Sequence, residues 1–391
     1  MQVLNFHLMP YPPLGNDVYD KYDSAWITFP NTYFDEHVAH DTYQRYLDEL
    51  ELCDQLGFDG VAVNEHHQTP YCMMPSPIVT ASCLARRTKG KIAILGSAFC
   101  LREHPLTLAE EHAMLDNITG GRIISGFVRG IGAEYTSFAV NPTLSHARHH
   151  EAHDLVIQAW TRPGPFAFEG KHYHFEYVNC WPRPYQQPHP LVWIPSQGSR
   201  ETIEWAAHPD RKYTYLQTFS PVAALARYMQ MYRDTAAKYG YQATAEQVGW
   251  SLPAYAAETD EIARREAKPH VEFFLNKLLR MPPEMLLPPG YISLRSLQGI
   301  LGAKRGLSSA KHTIDSLIEQ GMFLCGSAAT LREQIERYQK EIGFGYLLPQ
   351  VHFGTLPHEL TKKNIEILAK EVIPYFRRDA KSPARAVAEG I

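Results

Sequence analysis

Glu65, His66 and His67 stand together directly after an apolar run, Gly60–Val63, that reads as a buried strand. A carboxylate beside two imidazoles offers two kinds of chemistry. Histidine exchanges a proton near neutral pH, which suits general acid–base work, and the same side chains bind metals. The chain has 19 histidines, and His104, His146, His149 and His150 would be further metal donors. Barrel hydrolases that use a metal usually end their first strand in an H-x-H pair, whereas this chain has His7-Leu8-Met9 and no H-E-x-x-H. We expect no metal. Spacing alone leaves another alternative open, in which the pair is a polar rim satisfied by hydrogen bonds.

A second group of residues suits an anion. Gly198-Ser199 precedes a helical segment and Thr202 falls in its first turn, where N–H groups and the helix dipole favour negative charge. The same residues can simply cap the helix. Arg129 and Arg148 carry forked donors that match a phosphate; the alternatives are ion pairs with Glu134 and Glu151.

These residues need elements to hold them, and the chain alternates short β-rich runs with longer helical ones. Strands are expected at Val3–Leu8, Gly60–Val63, Lys91–Leu95, Arg122–Val128, Leu191–Pro195, Lys212–Gln217, Val248–Ala256 and Tyr346–Val351. Between them, Tyr43 to Leu56, Pro77–Arg87, Leu106–Leu115 and Ala147–Trp160 read as helices, and Gly57 sits where a helix should stop. About eight strand–helix units favour a closed (β/α)8 TIM barrel with inserted loops, an α/β fold, over an open sheet. We expect one domain over residues 1–378, with insertions near 10–37, 162–188 and 281–311, and a flexible tail at 379–391. Phe166–Trp181 alternates like a hairpin outside the barrel. In such a barrel the working residues sit at the C-terminal strand ends. That rule selects Glu65-His66-His67, Gly96-Ser97-Ala98, Arg129-Gly130 and Ser196-Gln197-Gly198-Ser199.

Bulk properties narrow the partners. With 391 residues, a formal net charge of −4 and no basic run, the chain is poorly suited to nucleic acid or to an anionic membrane. The N-terminus lacks the basic and apolar regions of a signal peptide, and no apolar run is long enough to span a bilayer. Six scattered cysteines with no C-x-x-C pair suit reduced thiols, so a cytoplasmic protein is expected.

Four segments carry a family likeness: GFDGVAVNEHH, HPLTLAEEHAMLDNITGGRIISGFVRG, SQGSRETIEWAA and CGSAATLREQIERY. Together and in this order they resemble the bacterial luciferase-like flavin monooxygenases, and the likeness covers nearly the whole chain. The resemblance implies a class C, two-component enzyme. Reduced FMN, delivered by a separate NAD(P)H:flavin reductase, would capture O2 as a C4a-peroxide and oxygenate a small organic substrate. His66 maps onto the family's catalytic histidine. Ser199, Thr202 and Gly198 map onto the segment that holds the FMN phosphate, and Arg129 and Arg148 onto arginines that grip it. Glu65, Ser97 and Ala98 are taken as further cofactor contacts. The family often has a non-proline cis peptide after strand 3, so we expect one at Ser97–Ala98 or Ala98–Phe99. Thr107 stands where many relatives have arginine, and Arg102 lies close enough to substitute. No G-x-G-x-x-G follows a strand, which agrees with a separate reductase. A homodimer through the helices flanking strands 2 and 3 is also implied. A deazaflavin-dependent hydride-transferring enzyme and a non-catalytic flavin binder share the fold. The insert KYDSAWITFP is absent from luciferase itself; its aromatic residues (Tyr19, Tyr22, Trp26, Phe29, Tyr33, Phe34) would either roof the flavin pocket or pin the loop to the barrel.

Overall fold

A computed structural model describes residues 1–12, 14–294, 298 and 311–379. Eight parallel strands form its centre: β1 (Gln2–Phe6), β2 (Gly60–Val63), β3 (Lys91–Ser97), β4 (Ile123–Phe127), β7 (Leu191–Ser196), β8 (Thr214–Thr218), β9 (Val248–Ala256) and β11 (Tyr346–Gln350). They pair in that order, and β11 closes on β1 through Gln2↔Tyr346 and Val3↔Leu347. All eight expected strands are present, and the result is an α/β closed barrel. Between β4 and β7, strands β5 (Phe166–Glu169) and β6 (His174–Val178) form the antiparallel hairpin expected there. A strand that periodicity did not reveal, β10 (Leu324–Gly326), runs parallel to the C-terminal end of β9. At three residues it is too short for a period-2 pattern.

Two large rings meet in the interior of the barrel, beside glycines on the neighbouring strands. The rings of Trp193 and Tyr346 lie 4.7 Å apart although β7 and β11 are not neighbours, so they meet through the inside of the barrel. Gly126 is in register with Trp193, and Gly249 with Tyr346. A Cβ at Gly126 would lie 2.5 Å from the Ile94 carbonyl oxygen, and one at Gly249 would lie 2.6 Å from Leu216 Cδ1. Glycine lets β4 approach the β3 backbone at Gly126 and leaves room for the Leu216 side chain at Gly249, because a packed interior has a fixed volume to share.

Outside the barrel, helix Glu36–Gln55 starts on the Asp35 cap and buries Tyr46, Leu50 and Cys53. Helix Pro77–Ala85 starts on Ser76 with proline in its first turn, and helix Pro105–Thr119 ends on Gly120 in the left-handed conformation that its cap requires. The insert after β1 is pinned by its own aromatics. Tyr19 stacks on Phe29 at 5.0 Å, Phe29 meets Tyr33 at 5.7 Å, and Tyr19 sits edge-on to Phe273 at 5.3 Å. Trp26 leaves this stack and anchors elsewhere, with Nε1 donating to the Leu278 carbonyl at 3.0 Å. The segment expected as the third insertion begins with a short helix, Pro283–Leu286, that lies against Gly132, while 295–297 and 299–310 fall outside the described residues. Helix Ile373–Asp379 runs up to the first residue of the expected tail, and 380–391 lie outside the described residues.

Replacing Trp193 by alanine should empty the barrel interior where glycines cannot collapse inward. We expect a loss of about 3–5 kcal/mol in urea unfolding at neutral pH. A loss under about 1 kcal/mol would mean that the indole does not fill the barrel.

Candidate functional site

The Glu65-His66-His67 unit follows β2 at the C-terminal mouth, and its two histidines turn to different carboxylates. His66 Nδ1 lies 2.8 Å from Glu134 Oε1, and its Nε2 lies 2.9 Å from the Asn64 amide nitrogen. An ionised carboxylate only accepts, so Nδ1 carries the proton and donates to Glu134. Nε2 is then the acceptor for the Asn64 amide. Protonating Nε2 requires that amide to turn its oxygen toward the ring, and Glu134 then stabilises the imidazolium. The His66 side chain is 12% exposed and Glu134 4%. Trp26 meets the His66 ring edge-on at 5.1 Å and Tyr71 lies 5.3 Å from it, with Phe274 stacked on Tyr71 at 5.8 Å. His66 is therefore a histidine with one defined proton, set between aromatic walls that leave it only partly exposed.

Glu65 serves His67. Its Oε1 accepts from His67 Nε2 and from Arg102 Nη2, both at 2.9 Å, and its Oε2 accepts weakly from the Ala98 N–H at 3.4 Å. Arg102 stacks on Phe138 at 4.7 Å, and its Nη1 is buried without a partner. Thus the arginine near the Thr107 departure stands at the site, while Glu65, expected as a cofactor contact, is occupied with neighbouring side chains.

The loop after β3 differs from expectation. No cis bond occurs at Ser97–Ala98 or Ala98–Phe99; the described cis peptides all precede proline. The pairing of β3 with β4 shifts between Ile94 and Ser97, and this irregularity redirects the chain with ordinary trans peptides. Ser97 is fully buried, and its hydroxyl faces away from the mouth into a chain: Ser97 Oγ to His112 Nε2 at 2.8 Å, and His112 Nδ1 to Ser125 Oγ at 2.8 Å. Ala98 is also buried and contributes backbone only. Arg148 holds the next turn, with Nε donating to the Cys100 carbonyl at 2.9 Å and Nη2 to the Arg102 carbonyl at 3.2 Å, and with its guanidinium over Tyr173. The alternative pair with Glu151 does not form; Glu151 accepts from the backbone of Lys171, His172 and Tyr173.

Arg129 likewise avoids its alternative partner Glu134. Its Nη1 donates to Ser145 Oγ and to the Tyr291 carbonyl, both at 3.0 Å, and it lies 4.4 Å from the Tyr291 ring centre. Across the mouth, Gly198 has φ +94°, and a Cβ there would strike the Tyr228 ring at 2.4 Å. Ser199 caps helix Arg200–Ala206, accepting from the Thr202 N–H at 3.5 Å and donating to Glu201 at 3.0 Å. The cap alternative is thus realised at Ser199. Thr202 follows in the first turn.

Sequence reasoning missed Glu134 as the partner of His66. A signal existed: Glu134 lies three residues after Ile131 and accepts from its N–H at 2.8 Å, half of a capping box. Its second oxygen is then presented to His66. The roles of Asn64 and Tyr71 carried no signal, since both depend on chain crossings at the mouth. Of the insert aromatics, only Trp26 touches His66; the remaining described contacts pin the loop. Among the described residues, no three His, Cys, Asp or Glu side chains group as metal ligands, and no helix is long and apolar enough to cross a membrane. All six cysteines are free thiols.

A closed parallel barrel whose paired polar side chains gather at the C-terminal strand ends has the layout of a barrel enzyme. The chain belongs to the luciferase-like monooxygenase family, whose profile matches residues 25–344. It is 29% identical over 325 residues to protein y4wF of Sinorhizobium fredii, covering 80% of this chain and 87% of that one. It is also 26% identical over 361 residues to 2,5-diketocamphane 1,2-monooxygenase 1 of Pseudomonas putida, covering 87% and 95%. The oxygenating constituent of 3,6-diketocamphane monooxygenase from Pseudomonas putida, solved in complex with FMN, has the same fold. Its TM-score is 0.71 at 19% identity, over 96% of this chain and 98% of that one.

The Ser97–His112–Ser125 chain has a consequence for stability. Burial pushes the His112 pKa down to about 3 from an ordinary 6.5, so the folded protein keeps it neutral. Between these values the unfolded chain binds a proton that the folded one does not. Stability is therefore fully present above about pH 6.5 and falls as pH drops below it. His112→Gln should lose about 2 kcal/mol less than the parent between pH 7 and pH 5, measured by urea unfolding at both. Equal losses in the two proteins would show that His112 titrates normally in the fold.

Proposed function

We propose that this chain is the oxygenase of a two-component system that uses reduced FMN and O2 to oxygenate a small organic substrate. The observation that carries the proposal is the His66–Glu134 pair, set against Trp26 and Tyr71 at the mouth of a luciferase-like barrel. Bound reduced FMN would supply two electrons, so that one atom of O2 enters the substrate and the other leaves as water. A separate NAD(P)H:flavin reductase would supply the reduced flavin. Location in the reducing cytosol is consistent with six unpaired cysteines.

The residues present fit the cofactor's phosphate. Glycine at 198 permits the close turn into helix Arg200–Ala206, whose first turn carries Ser199 and Thr202 as donors for a phosphate. Arg129 supplies the positive charge, and Arg148 acts through the Cys100–Arg102 turn that it holds. Gly96 lets the Asn64 side chain and the Glu65 backbone pack against the end of β3, since a Cβ there would lie 2.0 Å from Asn64 Oδ1. The chemical work falls to His66. It holds a proton on Nδ1 against Glu134 and offers Nε2 as the site where a second proton is taken up and passed on. Trp26, Tyr71 and Phe274 exclude water, so that a proton reaches the reacting atoms only through His66.

Anaerobic titration with reduced FMN, followed by rapid mixing with O2, tests this. We expect one reduced FMN per chain and a delay before oxidised flavin appears, relative to free reduced FMN. His66→Ala and Glu134→Gln should shorten that delay by about tenfold or more while retaining flavin. Reduced FMN that binds but oxidises as fast as it does free would favour a non-catalytic binder. Selective binding of a deazaflavin with no O2 use would replace the proposal with hydride transfer.

We also propose a homodimer through helices Pro77–Ala85 and Pro105–Thr119. Val79 stands exposed on the first of these helices and Met114 and Ile118, one turn apart, on the second, and exposed apolar side chains favour burial against a second copy. Met114→Glu should halve the mass measured by sedimentation at micromolar concentration. A parent protein that sediments as a monomer would refute the interface.

A further inference from the structure

Helix Ser145–Thr161 carries four histidines, at positions 146, 149, 150 and 153. Spacings of three, four and seven residues place them on one face. That face packs across Trp205 of helix Arg200–Ala206. His150 stacks flat on the indole at 5.0 Å, His149 lies 5.3 Å from it, and His153 meets it edge-on at 4.7 Å. At the start of the same helix, Ser145 accepts from Arg129. The histidine face therefore joins the two halves of the anion site, Arg129 on one side and the Ser199–Thr202 turn on the other.

Two of these rings are unfinished. His153 is satisfied by Asp154 and by the Tyr213 hydroxyl, both at 2.9 Å. By contrast, Nε2 of His149 and Nε2 of His146 are buried without a hydrogen-bond partner, and His149 is only 3% exposed. Buried polar atoms in native proteins are almost always paired, so two orphans beside a cation mark a place where an acceptor belongs. We propose that His149 and His146 complete the phosphate cradle of the cofactor, each presenting Nε2 to a phosphate oxygen, and that binding the dianion draws a proton onto this pair. The proposal rests on the assignment of Arg129, Ser199 and Thr202 to the flavin phosphate.

The electrostatics agree in sign. Burial, then the fields of His150, Arg129, His153 and His146, hold His149 well below the ordinary histidine range. Burial, then Arg129 and His150, hold His146 at about 4, with Glu201 pulling the other way. His150 is also at about 4, through burial and Arg211, with Asp154 opposing, and Arg211 and His189 act on His153. Both rings facing the cradle are thus neutral before the ligand arrives. A phosphate dianion replaces this cationic field with an attractive one and raises both pKa values. Affinity for FMN should then rise as pH falls from 8 toward 6, whereas affinity for riboflavin, which lacks the phosphate, should stay level.

Anaerobic calorimetry on the full chain with reduced FMN and reduced riboflavin, in two buffers of different ionisation enthalpy, tests this. We expect the parent to take up close to one proton with FMN and none with riboflavin. His149→Gln and His146→Gln should each weaken FMN about tenfold, reduce the proton uptake, and leave riboflavin unchanged. If FMN outbinds riboflavin but both variants keep parental affinity and proton uptake, the histidines lie outside the cradle and the proposal fails alone. If the parent binds neither flavin, or binds both equally, the phosphate site itself is wrong and the proposal falls with it. Should His149→Gln not fold by circular dichroism, His146→Gln and the parental proton count decide.

Discussion

A carboxylate withdrawn from water has to be paired, and the mouth of this barrel is organised by that requirement. Three glutamates are almost wholly buried there. Glu49, on helix Glu36–Gln55, accepts from Arg45 at 2.7 Å, from His358 at 2.8 Å and from His7 at 3.5 Å. Burial alone would raise its pKa, but the hydrogen bonds from His358 and His7 and the charge of Arg45 outweigh burial and hold it below the usual carboxylate range. Glu65 takes His67 and Arg102, and Glu134 takes His66 and the Ile131 N–H. Each glutamate ties loops that follow different strands: Glu49 holds His7 after β1 and His358 after β11, Glu65 joins the loops after β2 and β3, and Glu134 joins those after β2 and β4.

The same pairing prepares the chemistry. A histidine held by a buried carboxylate has a fixed tautomer and ring orientation. His66 has this arrangement, with its second nitrogen turned toward the mouth side of Asn64. Below it, Trp193 plugs the barrel against Tyr346, so the floor is rigid and the variable parts sit above it. The roof is built from distant sequence: Trp26 from the first insert, Tyr71 after β2, and Phe274 from the segment that follows β9. Tyr291 adds a cover over Arg129.

Much of the scaffold was legible along the chain. Strand positions came from apolar runs because a strand enclosed by helices is buried on both faces, and Gly60–Val63 and Val248–Ala256 match to the residue. The position of His66 was legible for a similar reason, since a polar triplet directly after a buried strand must lie at the rim. Side-chain direction was less legible. Ser97 lies where the strand-end rule places it, yet the irregular register near Ile94 turns its hydroxyl inward to His112. Arg129 and Arg148 were within helical or turn reach of Glu134 and Glu151, yet both reach backbone carbonyls from other loops instead.

The amino-acid sequence by itself determined the α/β alternation, the closed parallel barrel and the chemistry-bearing triplet, because these follow from periodicity and from interactions between residues near in the chain. Only the tertiary structure decided which carboxylate each histidine would meet, which carbonyls the arginines would reach, and which imidazole nitrogens would be left without partners. Those outcomes depend on the crossing of loops separated by tens to hundreds of residues, such as His66 with Glu134 and Glu49 with His358. A buried charge takes whichever donor the packed chain brings within reach, and sequence distance does not encode that proximity.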